Sequence, residues 1–461
     1  MKTSIIPIFF CLLVLCITGC DSNRAYRTYD NPYDPARVGY NSPTNFIEYQ
    51  TNYDLGFVEI DDQGWFYDRR QLEAVTNMVS RDAGIGQATN TAGAIILLFV
   101  HGWENNADYD NTNVGMLRTE LGQIREQESH LPNHTPRKVV GVYLGWRGES
   151  LKIPYLQDLT FWTRKSAAYK VGGYGAATEL LVDLEHLQQE SNSALPTNAP
   201  RTELIIVGHS FGGQVVYSAL SQIMAEHFVN TFAFGKEPIL KPLGDQVILL
   251  NPAFEASRYF DLYQMATNID QYPTNQRPVL SIFTSKTDLA TGWAFPVGRF
   301  FDTLFERNVS CYQKSATLKT VGWFQPFVSY DLACTNPVSS RNIKAPGFNV
   351  LVKKAGWFAS KSEVHVSWQD AITNIEAQRA TYISNIETQR AKYHANNSKR
   401  VEYKFSQTVL TLRPGRSENP FPIVSVNKEV MDGHGDITNP VLIRFLADYI
   451  AFCQTDPQKG Q

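Results

Sequence analysis

Five short segments of this chain are apolar almost without interruption: 94–100, 139–144, 204–207, 247–250 and 279–283. A strand with one face in water alternates apolar and polar side chains. A continuous apolar run has no face to give to water, so it marks a strand covered on both sides, as in a parallel sheet between helical layers. The segments between the runs, about 112–127, 162–190, 211–226 and 256–267, read as helices. Strands alternating with helices define βαβ units with right-handed crossovers and a mainly parallel sheet. A strand-like piece at 57–60, a hairpin turn at 62–64 and a helix at about 70–81 precede this pattern. The sheet resumes near 422–426, and the last helix opens at Asn439-Pro440, an N-cap followed by proline at the first helical position.

The alternation stops after Phe283. Residues 290–405 hold no comparable run and are rich in aromatics, which predicts an insertion into the fold. Within it, 374–382 and 385–393 are near copies with an 11-residue period. That is close to three helical turns, so Ile375, Tyr382, Ile386 and Tyr393 share one stripe of a polar helix. Such a helix is either a solvated surface or a contact for a protein partner. At 461 residues the chain has room for one large interrupted domain beside its terminal segments. With 42 Lys+Arg against 45 Asp+Glu, a basic nucleic-acid-binding surface is not its theme.

Residues 1–19 read as an export signal: Lys2, then an apolar stretch too short to span a bilayer comfortably. The stretch ends Ile17-Thr18-Gly19-Cys20, which resembles the lipobox of bacterial lipoproteins. That resemblance implies cleavage before Cys20, a diacylglycerol on its thiol, and a lipid-anchored protein of the bacterial cell envelope. The alternative is an ordinary cleaved signal. Residues 20–55, polar and rich in Asn, Asp, Pro and Tyr, read as a tether. The expected layout is then a catalytic domain over 56–289, the 290–405 cap and a return over 406–461. Export permits disulfides, and Cys311 with Cys334 is the candidate pair, against free buried thiols.

The chemistry centres on Gly208-His209-Ser210-Phe211-Gly212-Gly213, which directly follows the third apolar run and opens a helix. G-x-S-x-G alone is weak; the strand before and the helix after give it meaning, because a sharp turn there lifts the Ser210 hydroxyl clear. A serine hydroxyl needs a general base. Of the histidines after Ser210, His227 lies about 25 Å along the same helix, and His365 and His394 lie in the insertion. His434 sits in the loop Asp432-Gly433-His434-Gly435-Asp436 before the last helix and is the preferred base, with His365 second. Asp288 follows the fifth strand and is the leading acid, with Glu255 the runner-up. An oxyanion needs fixed donors, and the backbone amides of Phe211 and of Trp103 are the candidates. Trp103 belongs to His101-Gly102-Trp103, after the first strand. Arg147, after the second, is either an anchor for a substrate carboxylate or phosphate, or half of a structural ion pair. No phosphate loop, dinucleotide fingerprint or Cys/His cluster is present in the sequence, so no cofactor and no metal is expected.

Taken in order, strand-His-Gly-Trp, strand-Gly-His-Ser-Phe-Gly-helix, Asp288 and His434 resemble the α/β-hydrolase family over about 90–290 and 420–455. The resemblance implies a mostly parallel eight-stranded sheet with helices on both faces and a Ser-His-Asp triad. It implies a structural role for His101. It is consistent with an esterase or lipase acting on a small-molecule or lipid ester. Thioesterase, acyltransferase and peptidase remain open, as does a non-catalytic binding lipoprotein on the same scaffold. This chain departs from the family in the 146 positions between Asp288 and His434.

Overall fold

A computed structural model describes residues 23–87, 91–130, 135–148, 161–234, 239–269, 272–273, 275–303, 306–335 and 401–454. The candidate lipidation site Cys20, the duplicated stretch 374–393, His365 and His394 lie outside the described residues.

The apolar runs form the middle of one eleven-stranded sheet. In chain order its strands are β1 (Ile47–Tyr49), β2 (Asp54–Ile60), β3 (Ala94–Val100), β4 (Lys138–Trp146), β5 (Glu203–His209), β6 (Gln246–Leu250), β7 (Leu280–Ser285), β8 (Tyr330–Cys334), β9 (Glu402–Phe405), β10 (Thr408–Leu412) and β11 (Ile423–Val426). In space they run β1-β2-β4-β3-β5-β6-β7-β11-β8-β10-β9. Eight neighbours from β2 to β8 are mutually parallel; β1 on one edge and β10 and β9 on the other are antiparallel.

Two cores explain the continuous apolar runs. Ile96, Leu98 and Val100 of β3 enter one core, while Ile95 and Phe99 enter the other. The first core is closed by α1 (Arg69–Asp82), α3 (Phe161–Gly173), α4 (Ala176–Ala194), α5 (Phe211–Val229) and α6 (Ala256–Thr267). The second is closed by α2 (Thr112–Ser129) and α9 (Pro440–Gln454). Each fully buried Ile or Leu contributes about 1.5–3 kcal/mol, so neither face of a central strand can be left open. The helix termini follow local chemistry. Asp68 caps α1 by accepting from the Arg70 amide, and Asn439 accepts from Val441 at the start of α9. The single helix expected over 162–190 is two, broken at Gly173-Tyr174-Gly175.

Strand order reverses around β3. The chain places β4 on one side of it and β5, β6 and β7 on the other. Such a reversal opens a crevice at the carboxyl ends of the strands. The loops after β3 and β5 meet there.

Three expectations are corrected. The sheet has eleven strands rather than eight, because three short antiparallel strands at its edges, β1, β9 and β10, extend the parallel core. The insertion does not begin at 290: α7 (Phe295–Asp302), α8 (Cys311–Leu318) and β8 belong to the body, with β8 parallel to β11, and β9 at 402–405 is in the sheet as well. The tether does not hang free over 23–55. Arg27 is fully buried, paired with Glu48 at 2.8 Å and lying 3.5 Å over the Phe57 ring. The amides of Tyr26 and Arg27 donate to Glu59, and β1 pairs with β2.

The Cys311–Cys334 pair is also not formed. Cys311 opens α8 and is exposed; Cys334 ends β8 and is buried in the second core. Helix α8 packs through Ala316 into the first core, so the two thiols serve opposite sides of the sheet. Cys453 is buried and forms no disulfide among the described residues.

Candidate active site

Ser210 stands between β5 and α5 with φ 57° and ψ −121°. Positive φ costs a non-glycine residue about 1–3 kcal/mol and persists only where the surroundings enforce it. Here they do. The Ser210 amide donates to Leu250 O at 3.0 Å, and Ser210 O accepts from Ala253 N at 3.0 Å, both on the β6 side. The helix after the turn runs close under β3: a Cβ on Gly212 would lie 2.0 Å from Val100 O. The turn therefore requires glycine there, and with it the hydroxyl is directed out of the crevice floor.

His434 arrives on the loop between β11 and α9. The Ser210 Oγ–H donates to His434 Nε2 at 2.7 Å, and His434 Nδ1–H donates to Asp288 Oδ2 at 2.9 Å. The carboxylate fixes that tautomer, because only Nδ1–H can face it. Asp288 is fully buried just past β7 and also accepts from Ala290 N, Thr291 N and Thr291 Oγ1. Burial pushes its pKa up, but the bonds from His434 and Thr291 outweigh it and hold the carboxyl below the usual range. The group is thus charged and acceptor-only, as an imidazole orienter must be.

The structure brings Ser210, His434 and Asp288 into one line. It does not bring Glu255 there; that residue pairs with Lys165, Arg258 and Arg299. His227 lies toward the far end of α5 beside Glu226. Arg147 pairs with Asp62 at 3.3 Å, and Arg164 shares the same carboxylate at 2.6 Å, so the ion-pair alternative describes it.

Two residues that sequence reasoning passed over hold the histidine loop. Asn251, at the end of β6, donates to His434 O at 2.9 Å and to Gly433 O at 3.1 Å, and accepts from Ser285 N. His209 Nε2–H donates to His434 O at 2.9 Å. Its ring is buried and lies 5.0 Å from that of His434; burial first, then the neighbouring imidazole, push its pKa down to about 3. His209 is therefore a neutral donor at physiological pH. Each stands at the carboxyl end of a strand flanking the crevice, a position that does not by itself name the loop it bonds.

The donor side is built by His101. Its Nε2 accepts from Trp146 N at 3.0 Å, so its Nδ1 carries the proton and donates to Gly102 O at 2.8 Å. The ring stacks between Tyr143 and Trp146, and burial lowers its pKa to about 4. In a trans peptide C=O and N–H point apart. Holding Gly102 O on one side therefore turns the Trp103 N–H to the other. Gly102 touches the nucleophile, since a Cβ there would lie 2.7 Å from Ser210 Cβ. The second amide, of Phe211, is the first in α5 and has no intrahelical acceptor. Among the described residues neither amide donates to protein. Phe161 packs against both side chains, with ring centroids 5.3 Å from Trp103 and 4.9 Å from Phe211.

A parallel sheet between helical layers, with a strained serine at a strand–helix turn and its partners at later strand ends, is the α/β-hydrolase fold. Residues 80–297 match the model of a family described as "Alpha/beta hydrolase of unknown function (DUF900)". The match takes in Ser210 and Asp288 and ends before His434. Among solved structures, phospholipase PlaB from Legionella pneumophila, in complex with thio-NAD, is similar at 16% identity and a TM-score of 0.22. The similarity covers 44% of this chain and 40% of that one, so the chain spans well under half the length of that protein. No curated protein matches the chain.

Proposed function

We propose that this chain is a serine hydrolase that cleaves carboxylic esters through an acyl-enzyme on Ser210. The observation that carries the reading is the unbroken line from Ser210 Oγ through His434 to Asp288, ending on a buried carboxylate. Ser210 Oγ attacks the ester carbonyl while His434 Nε2 takes its proton. The oxygen gains charge facing the amides of Trp103 and Phe211, each such donor being worth about 2.7–4 kcal/mol in the transition state. Collapse expels the alcohol with the proton from His434. Water then adds to the acyl carbonyl as His434 takes its proton, and returning that proton to Ser210 Oγ releases the acid. Asp288 holds the tautomer and offsets the imidazolium charge throughout.

An apolar acyl group suits the surroundings. Phe161, Trp103 and Phe211 pack beside the serine, and Leu289 and Trp293, just past Asp288, stand exposed. In this reading Cys20 carries a lipid that keeps the enzyme on a bacterial envelope membrane beside lipid esters. Metabolic labelling with an alkyne fatty acid, lost in Cys20→Ser, tests the anchor. Hydrolysis of p-nitrophenyl acetate and butyrate, lost in Ser210→Ala, tests the enzyme. An inactive wild type would instead favour a binding role for the scaffold.

A further inference from the structure

Asp288 is held by more than the histidine it orients. Ala290 N donates to its Oδ1 at 2.9 Å and Thr291 N at 3.1 Å, while its Oδ2 accepts from both Thr291 Oγ1 and His434 Nδ1. An ionised carboxylate offers about four lone-pair sites, so these donors fill it. Three of the four bonds come from one π-helical turn, Ala290–Ala294, that starts two residues after the acid. Backbone amides fix Oδ1. The oxygen that faces His434 is Oδ2, and its second bond comes from a hydroxyl, which rotates unless a further group holds it.

Trp323 is that group. Its Nε1–H donates to Thr291 Oγ1 at 3.1 Å. An indole nitrogen only donates, so the hydroxyl accepts on that side and its own proton is left to point at Asp288. One directed chain results, from Trp323 Nε1–H through Thr291 Oγ1–H to the oxygen that orients His434. Thr291 and Asp288 are both buried, so bulk water does not compete for these bonds. Thr320 Oγ1 donates to Thr291 O at 3.2 Å, a second tie from the same segment as Trp323.

The fold fixes where the indole stands. Trp323 ends a short 3₁₀ turn, Val321–Trp323. Val321 N donates to Phe254 O at 3.1 Å and Ala256 N donates to Lys319 O at 2.9 Å, which fastens that segment to the chain after β6. Residue 292 must be small for the indole to reach Thr291, since a Cβ on Gly292 would lie 2.6 Å from Trp323 Cζ2. The chain of donors thus joins the segments that follow β6 and β7, the same strand ends that carry Asn251 and Asp288.

We propose that Thr291 and Trp323 are positioning residues of the serine site: Trp323 directs the Thr291 hydroxyl, and the hydroxyl holds Asp288 Oδ2 on His434. As a statement about turnover this rests on the ester-hydrolase reading; as a statement about how the partner of His434 is held it does not. Two measurements test it together, hydrolysis of p-nitrophenyl butyrate and the proton NMR resonance of His434 Nδ1–H, identified by its loss in His434→Ala. Two donors share Oδ2, so losing one changes the strength of the other and moves that resonance. Thr291→Val keeps the shape and the backbone bond and removes only the hydroxyl. It is expected to move the resonance and to lower kcat about 10–100-fold, with KM within about threefold. Thr291→Ser restores the hydroxyl, so kcat should return to within about threefold of wild type with the resonance in place. Trp323→Phe keeps a ring there and frees the hydroxyl; kcat should fall about 2–10-fold. On top of Thr291→Val it should cost nothing more, because the indole acts only through that hydroxyl. Wild-type kcat and an unmoved resonance in both Thr291→Val and Trp323→Phe overturn the proposal, as does an equal loss in Thr291→Val and Thr291→Ser. A wild type that cleaves no ester refutes the hydrolase alone, and the resonance then decides the positioning. An active wild type with indifferent variants refutes the positioning alone.

Discussion

His101→Leu tests the donor side of the site more sharply than a change to the serine would. The imidazole makes two bonds and touches no substrate: it accepts from Trp146 N and donates to Gly102 O. Leucine nearly conserves the volume and removes both bonds. Each buried backbone group left without a partner costs about 1–3 kcal/mol, so folding loses about 2–6 kcal/mol in all. The kinetic effect is separate. Without the bond to its carbonyl, the Gly102–Trp103 peptide is free to rotate, and one of two oxyanion donors loses its aim. Loss of one such donor lowers kcat by about 10²–10³-fold. The ground-state ester is not held by that amide, so KM should stay within about threefold. Steady-state hydrolysis of p-nitrophenyl butyrate beside a thermal melt reads both effects. A folded variant with a lower Tm and wild-type kcat would refute the reasoning, because the Trp103 amide would then either keep its direction without His101 or play no part.

Further outcomes follow from the same contacts. Asp288→Asn replaces an acceptor-only group with one that also donates, favouring the wrong tautomer of His434; kcat should fall about 10⁴-fold with little change in Tm, and a loss under tenfold would remove Asp288 from the mechanism. His101 and His209 are buried with pKa values of about 4 and 3, against an ordinary 6.5. The unfolded chain therefore takes up protons first as pH falls. The stability these two residues supply is complete above about pH 6.5 and declines steadily down to about pH 4, by about 3 kcal/mol for His101 alone. Urea midpoints from pH 7 to 4 should drop along that course, and a flat profile to pH 4.5 would contradict it. Arg27→Met strands part of a buried ion-pair network. Arg118 still pairs with Glu48, so the loss should sit near the low end of the range for such pairs, about 3 kcal/mol, read as a lower urea midpoint.

The parts of the fold legible in the sequence were those whose physics is local. β3, β5 and β6 are buried on both faces and so have no polar alternation to confuse them with anything else. The serine turn was legible because strand, glycines and helix are contiguous. Strands β8, β9 and β10 were not. They are four or five residues long, and in β8 and β9 one face is only partly covered, so the apolar signal halves. Arg27 was hidden for a different reason: a charged residue in a polar segment reads as solvated unless Glu48 and the Phe57 ring are known to enclose it. His434 and Asp288 could be named from strand ends and chain order. Asn251 and His209 could not, since their bonds go to backbone 183 and 225 positions away, which no spacing encodes.

In the proposed hydrolase Ser210 is the nucleophile, made reactive by His434. Mass spectrometry of the purified chain after reaction with a fluorophosphonate tests it most directly. One adduct per chain is expected, on the peptide that contains Ser210, formed at least about 10³ times more slowly in His434→Ala and absent in Ser210→Ala. An adduct elsewhere, or ester hydrolysis that survives in Ser210→Ala, would contradict it.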